Sequence, residues 1–273
     1  MQIRRHRLEF DSGEAVRFAE SPNRGGELQP RFLVMHYTAG SSFDSSLAHL
    51  TRQGAGASAH LLIGRDGSIA QLVPFNRVAW HAGTSSWQGL RGLNQHSIGI
   101  ELDNAGPLEA QGERWTSWFG RGYPDEEVVV ARHKNGGPQR GWHAYSEAQL
   151  AAAVEAAGAI CRHYKLVDVL GHDDIAPDRK TDPGPAFALA SFRSAVLGRR
   201  ADEPQTFAAT ARLNIRDSPG TGGAKLPEAP LAVGTRLCLL SQQGQWGFVE
   251  VLDAAGAPVA TGWVHCDYIA AVA

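Results

Sequence analysis

The chain has 273 residues, of which 43% are hydrophobic and 20% charged, a composition typical of globular proteins that argues against disorder. Its formal net charge is -2, whereas domains that bind nucleic acid usually carry a basic excess, so we expect no nucleic-acid partner. The length favours one body of about 200 residues and a small second domain.

The N-terminal segment, MQIRRHRLEFDSGEAV, has basic residues that run directly into Glu9, Asp11 and Glu14. It lacks the apolar core of a secretory signal, so we expect no signal peptide. The Ala-rich stretch 150–160 is interrupted by Glu155 and is shorter than the roughly 18 apolar residues that span a bilayer. We therefore expect no membrane insertion.

The first strong strand signal is the apolar run 31–37, RFLVMHY, which ends in the small turn residues TAG. This pattern places His36 at the end of a buried strand. The spacing of leucines after Asp44 then predicts a short helix over 44–52.

Three further strands are predicted before residue 103. The runs 58–63 and 68–73 are separated by Asp66-Gly67, a strong signal for the turn of a β-hairpin. The apolar run 97–102 predicts the third strand, with Glu101 near its end.

The segment 104–143 differs in composition from the preceding part of the chain, because it mixes Gly, Pro, Trp and charged residues. Only Val128, Val129 and Val130 are strand-like in it. We predict a long, partly structured excursion, of the kind that often shapes a binding cleft.

The predicted elements after this excursion begin with a helix. Ser146 and Gln149 form a capping box, and apolar spacing continues the helix to about Tyr164. A strand over 166–170, a proline-containing loop over 171–185 and a last helix over 186–197 follow. Strands that alternate with helices indicate an α/β fold with a mixed central sheet flanked by helices.

The polar stretch 199–206, RRADEPQT, predicts an interdomain linker that separates residues 1–200 from 201–273. Short β-type runs separated by Gly- and Pro-rich turns follow it, without helical periodicity. This pattern predicts a small all-β barrel. Its predicted strands are 213–216, 235–240, 247–251 and 261–265.

The three cysteines, Cys161, Cys238 and Cys266, are scattered, odd in number and without a CxxC pair. This pattern argues against a disulfide framework or a thiolate zinc site. We expect buried apolar thiols, and the alternative is a disulfide between Cys238 and Cys266.

Among the 11 histidines, two lie where a predicted strand passes into a loop. His36 ends the strand 31–37, and His172 follows the strand 166–170. Side chains at such exits project from a rigid sheet into a crevice where ligands gather. Two imidazoles and one carboxylate form a recognised ligand set for catalytic zinc.

The nearest carboxylates for a third ligand are Asp173, Asp174, Asp178 and Asp182. Asp173 is disfavoured because an immediate neighbour of a ligand rarely turns its side chain to the same point. Asp182 precedes Pro183, which biases it towards an extended backbone. Spacing alone leaves the choice open.

The run GHDDIAPDRKTDPGPAF, 171–187, closely resembles the last motif of the N-acetylmuramoyl-L-alanine amidase family, which includes phage lysozyme-type amidases and peptidoglycan recognition proteins. Four further stretches occur in the order of that family. They are FLVMHYTAG at 32–40, SAHLLIGRDGSIAQLVP at 58–74, AWHAG at 79–83 and SIGIELDNAG at 97–106. The resemblance covers about residues 30–197.

The resemblance implies that His36, His172 and Asp182 bind Zn²⁺. It also implies that Glu101 is a catalytic carboxylate and that Lys180 is the basic residue of the site. His60 and His81 lie in motifs that line the family's cleft. For these two the resemblance implies no metal ligation, and a structural hydrogen bond or a substrate contact are the alternatives.

The implied roles agree with elementary chemistry. Zinc with two neutral imidazoles and one carboxylate keeps a net positive charge, which lowers the pKa of bound water and polarises a carbonyl. Glu101 would move the water proton to the departing amine, and Lys180 would hold the oxyanion. The alternative for Lys180 is a surface ion pair with Asp178 or Asp182.

The C-terminal segment resembles bacterial SH3-like domains, small barrels that often hold cell-wall enzymes on their substrate. ARLNIRDSPG at 211–220 and TGWVHCDYI at 261–269 are similar to their first and last motifs. Trp246, Trp263 and Tyr268 form either a binding face or the barrel core.

These resemblances imply a zinc amidase domain over 1–200 and an SH3-like, wall-binding domain over 201–273. The expected reaction cleaves the amide bond between N-acetylmuramic acid and L-alanine, with peptidoglycan or muropeptides as partners. The alternatives are a non-catalytic peptidoglycan receptor on the same fold and another zinc hydrolase of peptidoglycan or acylated sugars that shares the site.

Without a signal peptide, we expect synthesis in the cytoplasm. The protein would then act in the periplasm or cell wall after release, as in phage-type lysis, or after signal-independent export. Action in the cytoplasm on recycled wall fragments is the alternative.

Overall fold

A computed structural model describes residues 1–112, 114–198, 206–254 and 256–272 of the chain. They form two compact units. The first contains the described residues of 1–83, 94–173 and 178–198, and the second contains 84–93, 174–177 and the described residues from 206 onward. Most of the predicted linker, residues 199–205, lies outside the described residues, as does the predicted boundary between 200 and 201.

The helices and strands follow in chain order. Up to residue 103 they are β1 (Gln2–Arg4), β2 (Arg7–Glu9), β3 (Arg17–Phe18), β4 (Arg24–Glu27), β5 (Phe32–Tyr37), α1 (Phe43–Thr51), β6 (Leu61–Ile63), β7 (Ile69–Gln71), β8 (Arg77–Ala79), β9 (Ser86–Trp87), β10 (Leu90–Arg91) and β11 (Ser97–Leu102). Up to residue 198 they are β12 (Pro107–Gln111), β13 (Arg114–Thr116), β14 (Gly122–Tyr123), β15 (Val128–Arg132), β16 (Gln139–His143), α2 (Glu147–Tyr164), β17 (Asp168–Gly171), α3 (His172–Ile175) and α4 (Leu189–Leu197). The last strands are β18 (Thr206–Ala209), β19 (Arg236–Gln243), β20 (Trp246–Leu252), β21 (Pro258–His265) and β22 (Ile269–Ala271).

Six strands form the central sheet of the first unit, in the order β17-β5-β11-β6-β7-β3. β5 lies between β17 and β11 and runs parallel to both. β6 and β7 form the predicted antiparallel hairpin. The mixed α/β fold with a central sheet is therefore confirmed.

Helices cover both faces of this sheet. Successive side chains on a strand point to opposite faces, so neighbouring residues pack against different helices. Leu61 and Ile63 belong to the core that contains α2 and α4, whereas Leu62 packs in a second cluster with leucines of α1. Met35 and Ile100 face the core on the α2 side. His36 and Glu101, the residues that follow them, therefore project from the opposite face of the sheet.

Helix α2 begins as the capping signal predicts, and the Ser146 hydroxyl accepts a hydrogen bond from the Gln149 backbone N–H at 3.2 Å. The second half of the predicted box does not form. The Gln149 amide instead donates to the carbonyls of Ile63 and Asp103 at 3.0 and 3.1 Å. Gln149 thus ties the helix to the ends of two sheet strands.

The segment 104–143 is more ordered than its sequence predicts. The expectation that only Val128–Val130 is strand-like is wrong, because β12 to β16 form a five-stranded sheet in the order β14-β13-β12-β16-β15. Antiparallel pairing with β15 makes a strand of the polar, Gly-containing stretch Gln139–His143. Tertiary pairing therefore overrides the weak β propensity of this stretch.

The predicted loop 171–185 contains the short helix α3, and the last helix starts at Leu189 rather than at Ala186. No helix among the described residues has both the length and the hydropathy needed to cross a bilayer. Cys161, Cys238 and Cys266 are buried free thiols, as predicted, so the alternative disulfide between Cys238 and Cys266 is not formed.

The second unit has a five-stranded sheet in the order β21-β20-β19-β18-β22, with antiparallel neighbours. Its apolar core includes Phe207, Leu237, Val249 and Val264. The predicted strand 213–216 forms only isolated bridges, to Leu231, Lys225 and Trp263. The strands β18 and β22 were not predicted.

Aromatic side chains lie on the outer face of this sheet. Trp246 pairs in register with His265, and Phe248 pairs with Trp263, with ring centroids 5.2 and 5.3 Å apart. None of these rings is part of the apolar core of the unit. The suggestion that Trp263 fills the core is therefore wrong.

Candidate metal centre

His36 and His172 are brought together by the register of two parallel strands. Met35 of β5 is the partner of Gly171 of β17, so the next residues, His36 and His172, lie opposite each other. Their side chains are only 1% and 2% exposed. The strand exits predicted from the sequence thus meet at the same edge of the sheet.

Asp182 completes a compact triangle of donor atoms. The Nδ1 atoms of His36 and His172 are 2.9 Å apart, and each lies 2.9 Å from Oδ2 of Asp182. Within the described residues, this is the one group of three or more His, Cys, Asp or Glu side chains placed to hold a metal ion. Of the four candidate carboxylates, only Asp182 belongs to it.

The loop that carries Asp182 is fixed by its neighbours. The Asp182 carbonyl accepts a hydrogen bond from the Asp173 backbone N–H at 2.8 Å. The Tyr145 hydroxyl donates to the Pro183 carbonyl at 2.7 Å, and the hydroxyls of Tyr37 and Thr181 are 2.7 Å apart. These contacts hold the carboxylate in place without using its oxygens.

The second nitrogen of each histidine is also occupied. Nε2 of His172 lies 3.1 Å from the Ala82 carbonyl, which can only accept, so this nitrogen carries the hydrogen. Nε2 of His36 lies 2.9 Å from Nδ1 of His81. Hydrogen bonds of this kind commonly set the tautomer and ring orientation of metal-binding histidines.

Electrostatics keeps His36 and Asp182 in the protonation state that a cation needs. Burial, with repulsion from His172, lowers the pKa of His36 to about 4, so its ring is neutral at pH 7. Burial alone would raise the pKa of Asp182, but the His172 and His36 side chains beside it hold that pKa below its usual range. The site therefore offers lone pairs and a negative charge.

The geometry also fits a divalent cation. The three donor atoms lie 2.9 Å from one another. Two imidazole nitrogens and one carboxylate oxygen are a donor set found in catalytic zinc sites, so these residues would fit a zinc ion.

Glu101 stands beside this group. It is the register partner of His36, so both side chains leave the same face of the sheet. Its Oε2 atom is buried without a hydrogen-bond partner among the described residues. Burial, reinforced by the negative charge of Asp182, raises the pKa of Glu101 to about 8. A buried oxygen without a partner is costly unless a ligand satisfies it.

Lys180 contributes positive charge to the same place, because it lowers the pKa of both His36 and Glu101. Its side chain is half-buried. In the described part of the chain it forms no ion pair with Asp178 or Asp182, which was the alternative role predicted for it. Its ammonium group therefore remains available to the site.

Asp173 is turned away from the metal group, as its position next to His172 predicted. Its Oδ2 lies 3.0 Å from Nε2 of His133, and its Oδ1 lies 2.9 Å from Nζ of Lys134. The Asn135 side chain donates to its carbonyl at 2.9 Å. The segment 104–143 thus contacts the ligand loop, a role that no local sequence signal revealed.

Two further residues lie near the site, of which sequence reasoning named one and missed the other. His81, for which a structural hydrogen bond was one of two alternative roles, forms a hydrogen bond with His36. Trp118 is 75% exposed, and its indole N–H donates to the Ala39 carbonyl at 2.8 Å. Ala39 belongs to the turn after β5, so this exposed ring lies on the rim of the same edge of the sheet.

Comparison with known proteins agrees with this picture. Residues 26–185 match the family model described as N-acetylmuramoyl-L-alanine amidase. The chain is 40% identical over 156 residues to the 1,6-anhydro-N-acetylmuramyl-L-alanine amidase AmpD of Escherichia coli K12, covering 56% of this chain and 63% of AmpD. It is 37% identical over 224 residues to the N-acetylmuramoyl-L-alanine amidase AmiD of the same strain, covering 78% of this chain and 66% of AmiD.

A crystal structure of a selenomethionine derivative of AmpD is similar to the fold, with 30% identity and a TM-score of 0.51. This similarity covers 72% of the present chain and 99% of the AmpD chain in the crystal. The matches to the curated relatives span just under two thirds of their lengths, 63% of AmpD and 66% of AmiD.

Proposed function

Because the chain belongs to the N-acetylmuramoyl-L-alanine amidase family, we propose that it hydrolyses the amide bond between N-acetylmuramic acid and L-alanine with a zinc ion as cofactor. The observation that carries this proposal is the triangle of His36, His172 and Asp182 donor atoms. The partnerless Oε2 of Glu101 on the same face of the sheet adds to it.

His36, His172 and Asp182 would hold the ion through Nδ1, Nδ1 and Oδ2. When bound, zinc supplies Lewis acidity, which activates water and polarises a carbonyl. The two imidazoles are fixed at their second nitrogens and the aspartate loop is tied by backbone contacts. The protein therefore presents its ligands preorganised, as such chemistry requires.

Glu101 is suited to move the proton. With a pKa raised to about 8, its carboxyl gains and loses a proton near neutral pH, the range in which general acid–base catalysis is most effective. Its place on β11 rather than on a loop fixes the oxygen relative to His36. It would take the proton of the attacking water and deliver it to the departing amine of L-alanine.

Lys180 would stabilise the developing negative charge on the carbonyl oxygen. Its ammonium group acts electrostatically on both His36 and Glu101, so it lies within range of the reacting centre. A fixed positive charge stabilises an oxyanion most in a partly desolvated site such as this one.

The substrate class is peptidoglycan or its soluble muropeptides. The name of one relative specifies a 1,6-anhydro-N-acetylmuramyl-L-alanine bond, and the name of the other an N-acetylmuramoyl-L-alanine bond. Exposed Trp118 on the rim offers an apolar surface to either form.

The second unit would be an SH3-like domain that holds the enzyme on the cell wall. Its five-stranded antiparallel sheet and separate apolar core support this proposal. So do the outward rings of Trp246, Phe248 and Trp263, because aromatic rings on an outer face can pack against a polymer.

The test is product analysis with purified peptidoglycan sacculi and with soluble anhydro-muropeptides. We expect peptides that carry a new free α-amino group on L-alanine, detected by N-terminal labelling and mass spectrometry. Dialysis against a chelator should abolish their release, and added zinc should restore it. Asp182→Ala is the matched inactive variant.

Three outcomes would contradict the proposal. Binding of sacculi without released peptide would indicate the non-catalytic receptor, and products cut at another bond would indicate a different wall hydrolase. Activity that survives prolonged chelation would exclude the metal-dependent reaction.

A further inference from the structure

We propose that His81 is a positioning residue of the metal centre. In this proposal His81 accepts the Nε2 hydrogen of His36 and so leaves Nδ1 of His36 free for the ion. Gly99 maintains the space that the His81 ring needs. The inference rests on the proposed metal site and extends it to two residues outside the ligand triangle.

The contact between His81 and Ser97 sets the direction of the hydrogen bond between His36 and His81. Nε2 of His81 lies 3.3 Å from the Ser97 carbonyl, which can only accept, and 3.4 Å from the Ser97 hydroxyl, which can accept as well as donate. The nearer carbonyl favours the tautomer with the His81 hydrogen on Nε2. A neutral His81 ring then has a bare Nδ1. That atom lies 2.9 Å from Nε2 of His36, which must therefore be the donor. His36 is left with a lone pair on Nδ1.

That lone pair is the one the metal group uses. Nδ1 of His36 is the atom that lies 2.9 Å from both Nδ1 of His172 and Oδ2 of Asp182. With the opposite tautomer, the hydrogen on Nδ1 would point into the ligand triangle and the ion would lose one donor. The state of His81 therefore decides whether His36 is competent to bind.

The two histidine ligands differ in how they are supported. The Nε2 hydrogen of His172 is accepted by a backbone carbonyl, that of Ala82, which no side-chain substitution removes. His36 depends instead on a side chain. His36 is therefore the ligand whose orientation a single substitution outside the triangle can change.

Gly99 makes room for the His81 ring. A Cβ at this position would lie 2.4 Å from Cγ and 2.6 Å from Nδ1 of His81, closer than real contacts allow. The Gly99 strand cannot move away easily, because β11 is paired on both sides by β5 and β6. The backbone N–H groups of His81 and Ala82 are both held by the Asn94 side chain, at 3.0 and 2.7 Å. An alanine at position 99 would therefore displace the ring.

His60 provides an internal contrast. It is fully buried beside His81, with ring centroids 5.8 Å apart. Among the described residues its nitrogens bond only to the backbone, with Nδ1 accepting from the Gly99 N–H at 3.0 Å and Nε2 donating to the Arg77 carbonyl at 2.9 Å. His60 does not contact a proposed metal ligand. A buried histidine in this region therefore does not position a ligand merely because it is buried.

The first measurement needs no variant. Long-range ¹H–¹⁵N spectra of histidines in the metal-free protein distinguish the two imidazole tautomers. We expect both His36 and His81 to carry their hydrogen on Nε2. A His36 ring with its hydrogen on Nδ1 would overturn the proposal, whatever the activity of the enzyme.

The second measurement is the zinc dissociation constant, obtained by competition with a chromogenic chelator. Loss of such an outer hydrogen bond typically weakens metal binding by about 10- to 100-fold, and we expect this for His81→Phe and for Gly99→Ala. His81→Asn places an amide oxygen near the position of Nδ1 and should recover part of the affinity. Gly26→Ala is the matched control, because a Cβ there meets no atom within 4 Å.

The outcomes separate this inference from the proposed function. If the wild-type protein does not bind zinc, the proposed function fails. If it binds zinc and folded His81→Phe and Gly99→Ala bind it equally well, only the positioning role fails. Urea unfolding of each variant shows whether it is folded, and for a variant that is not, the tautomer spectrum of the wild-type protein decides.

Discussion

The two units of the molecule differ in what they bury. Within the first unit the sheet buries histidines and carboxylates, among them His36, His60, His81, His172 and Asp182. In the second unit, the buried cluster formed by the described residues from 206 onward consists of apolar side chains and the Cys266 thiol, and Trp246, Phe248 and Trp263 lie outside it. Polar groups are costly to bury without partners. The first unit therefore buries the polar groups of the candidate site, whereas the core of the second unit is held together by apolar packing.

The same substitution made in each unit should have very different effects on kcat, and we expect the largest loss from Glu101→Gln. Glu101→Gln removes the titrating group beside the ligands and should lower kcat about 10²- to 10⁴-fold, the usual contribution of a general acid–base residue. Zinc content should stay at the wild-type level, because Glu101 is not a ligand. Steady-state kinetics on a soluble muropeptide, with metal analysis of the same sample, checks both statements.

The control is Glu250→Gln, on β20 of the second unit, which should leave kcat unchanged. A near-normal kcat for Glu101→Gln would remove Glu101 from its proposed role.

Next in size is the effect of Lys180→Met, which removes the positive charge but keeps most of the apolar stem. If Lys180 stabilises the oxyanion, kcat should fall about 10²- to 10³-fold. The equivalent change at exposed Lys225 in the second unit serves as the control. A variant with normal kcat would remove Lys180 from its proposed role.

Low pH should lower the stability of the first unit more than that of the second. Burial lowers the pKa of His60 to about 4 and that of His143 to about 3, whereas unfolded histidines titrate near 6.5. At these two histidines the unfolded state therefore binds more protons between these values, so they destabilise the first unit as the pH drops from about 6.5 towards 4. Glu101, with its pKa raised to about 8, opposes this trend, and the buried histidines outnumber it. The loss from His60 alone is about 3 kcal/mol.

Hydrogen exchange of the metal-free protein at pH 7 and pH 4.5, resolved to peptides of each unit, measures this difference. We expect the first unit to lose protection before the second. Earlier loss in the second unit would contradict the assignment of buried neutral histidines to the first.

The smallest effect is expected from the outer aromatic face. Trp263→Ala should weaken retention on sacculi about fivefold, corresponding to about 1 kcal/mol, and leave turnover of soluble muropeptides unchanged. Val259→Ala, at an exposed position of the same strand, is the control. Unchanged retention in a co-sedimentation assay would show that these rings do not hold the wall.

Local signals predicted the elements that place the candidate site. The run at 97–102 coincides with β11, the hairpin around Asp66-Gly67 is present, and the capping signal at Ser146 starts α2. These elements were predictable because their apolar periodicity and turn chemistry are local. The convergence of His36, His172 and Asp182 was expected from the family resemblance, whereas spacing alone left the third ligand open.

The features that local signals missed depend on distant pairing. Gln139–His143 became a strand only because β12 and β15 flank it. Likewise, the contact between His36 and His81 joins residues 45 positions apart. In hindsight, Gly99 within an otherwise apolar strand was the available signal, because a glycine there often marks the close approach of another group. Without coordinates, nothing identified that group as His81.

The central claim is that His36, His172 and Asp182 bind one zinc ion. The most direct test is anomalous diffraction at the zinc edge from crystals grown with zinc. We expect a single strong peak about 2.0–2.2 Å from both Nδ1 atoms and an oxygen of Asp182. Absence of a peak at these atoms in zinc-saturated protein would contradict it.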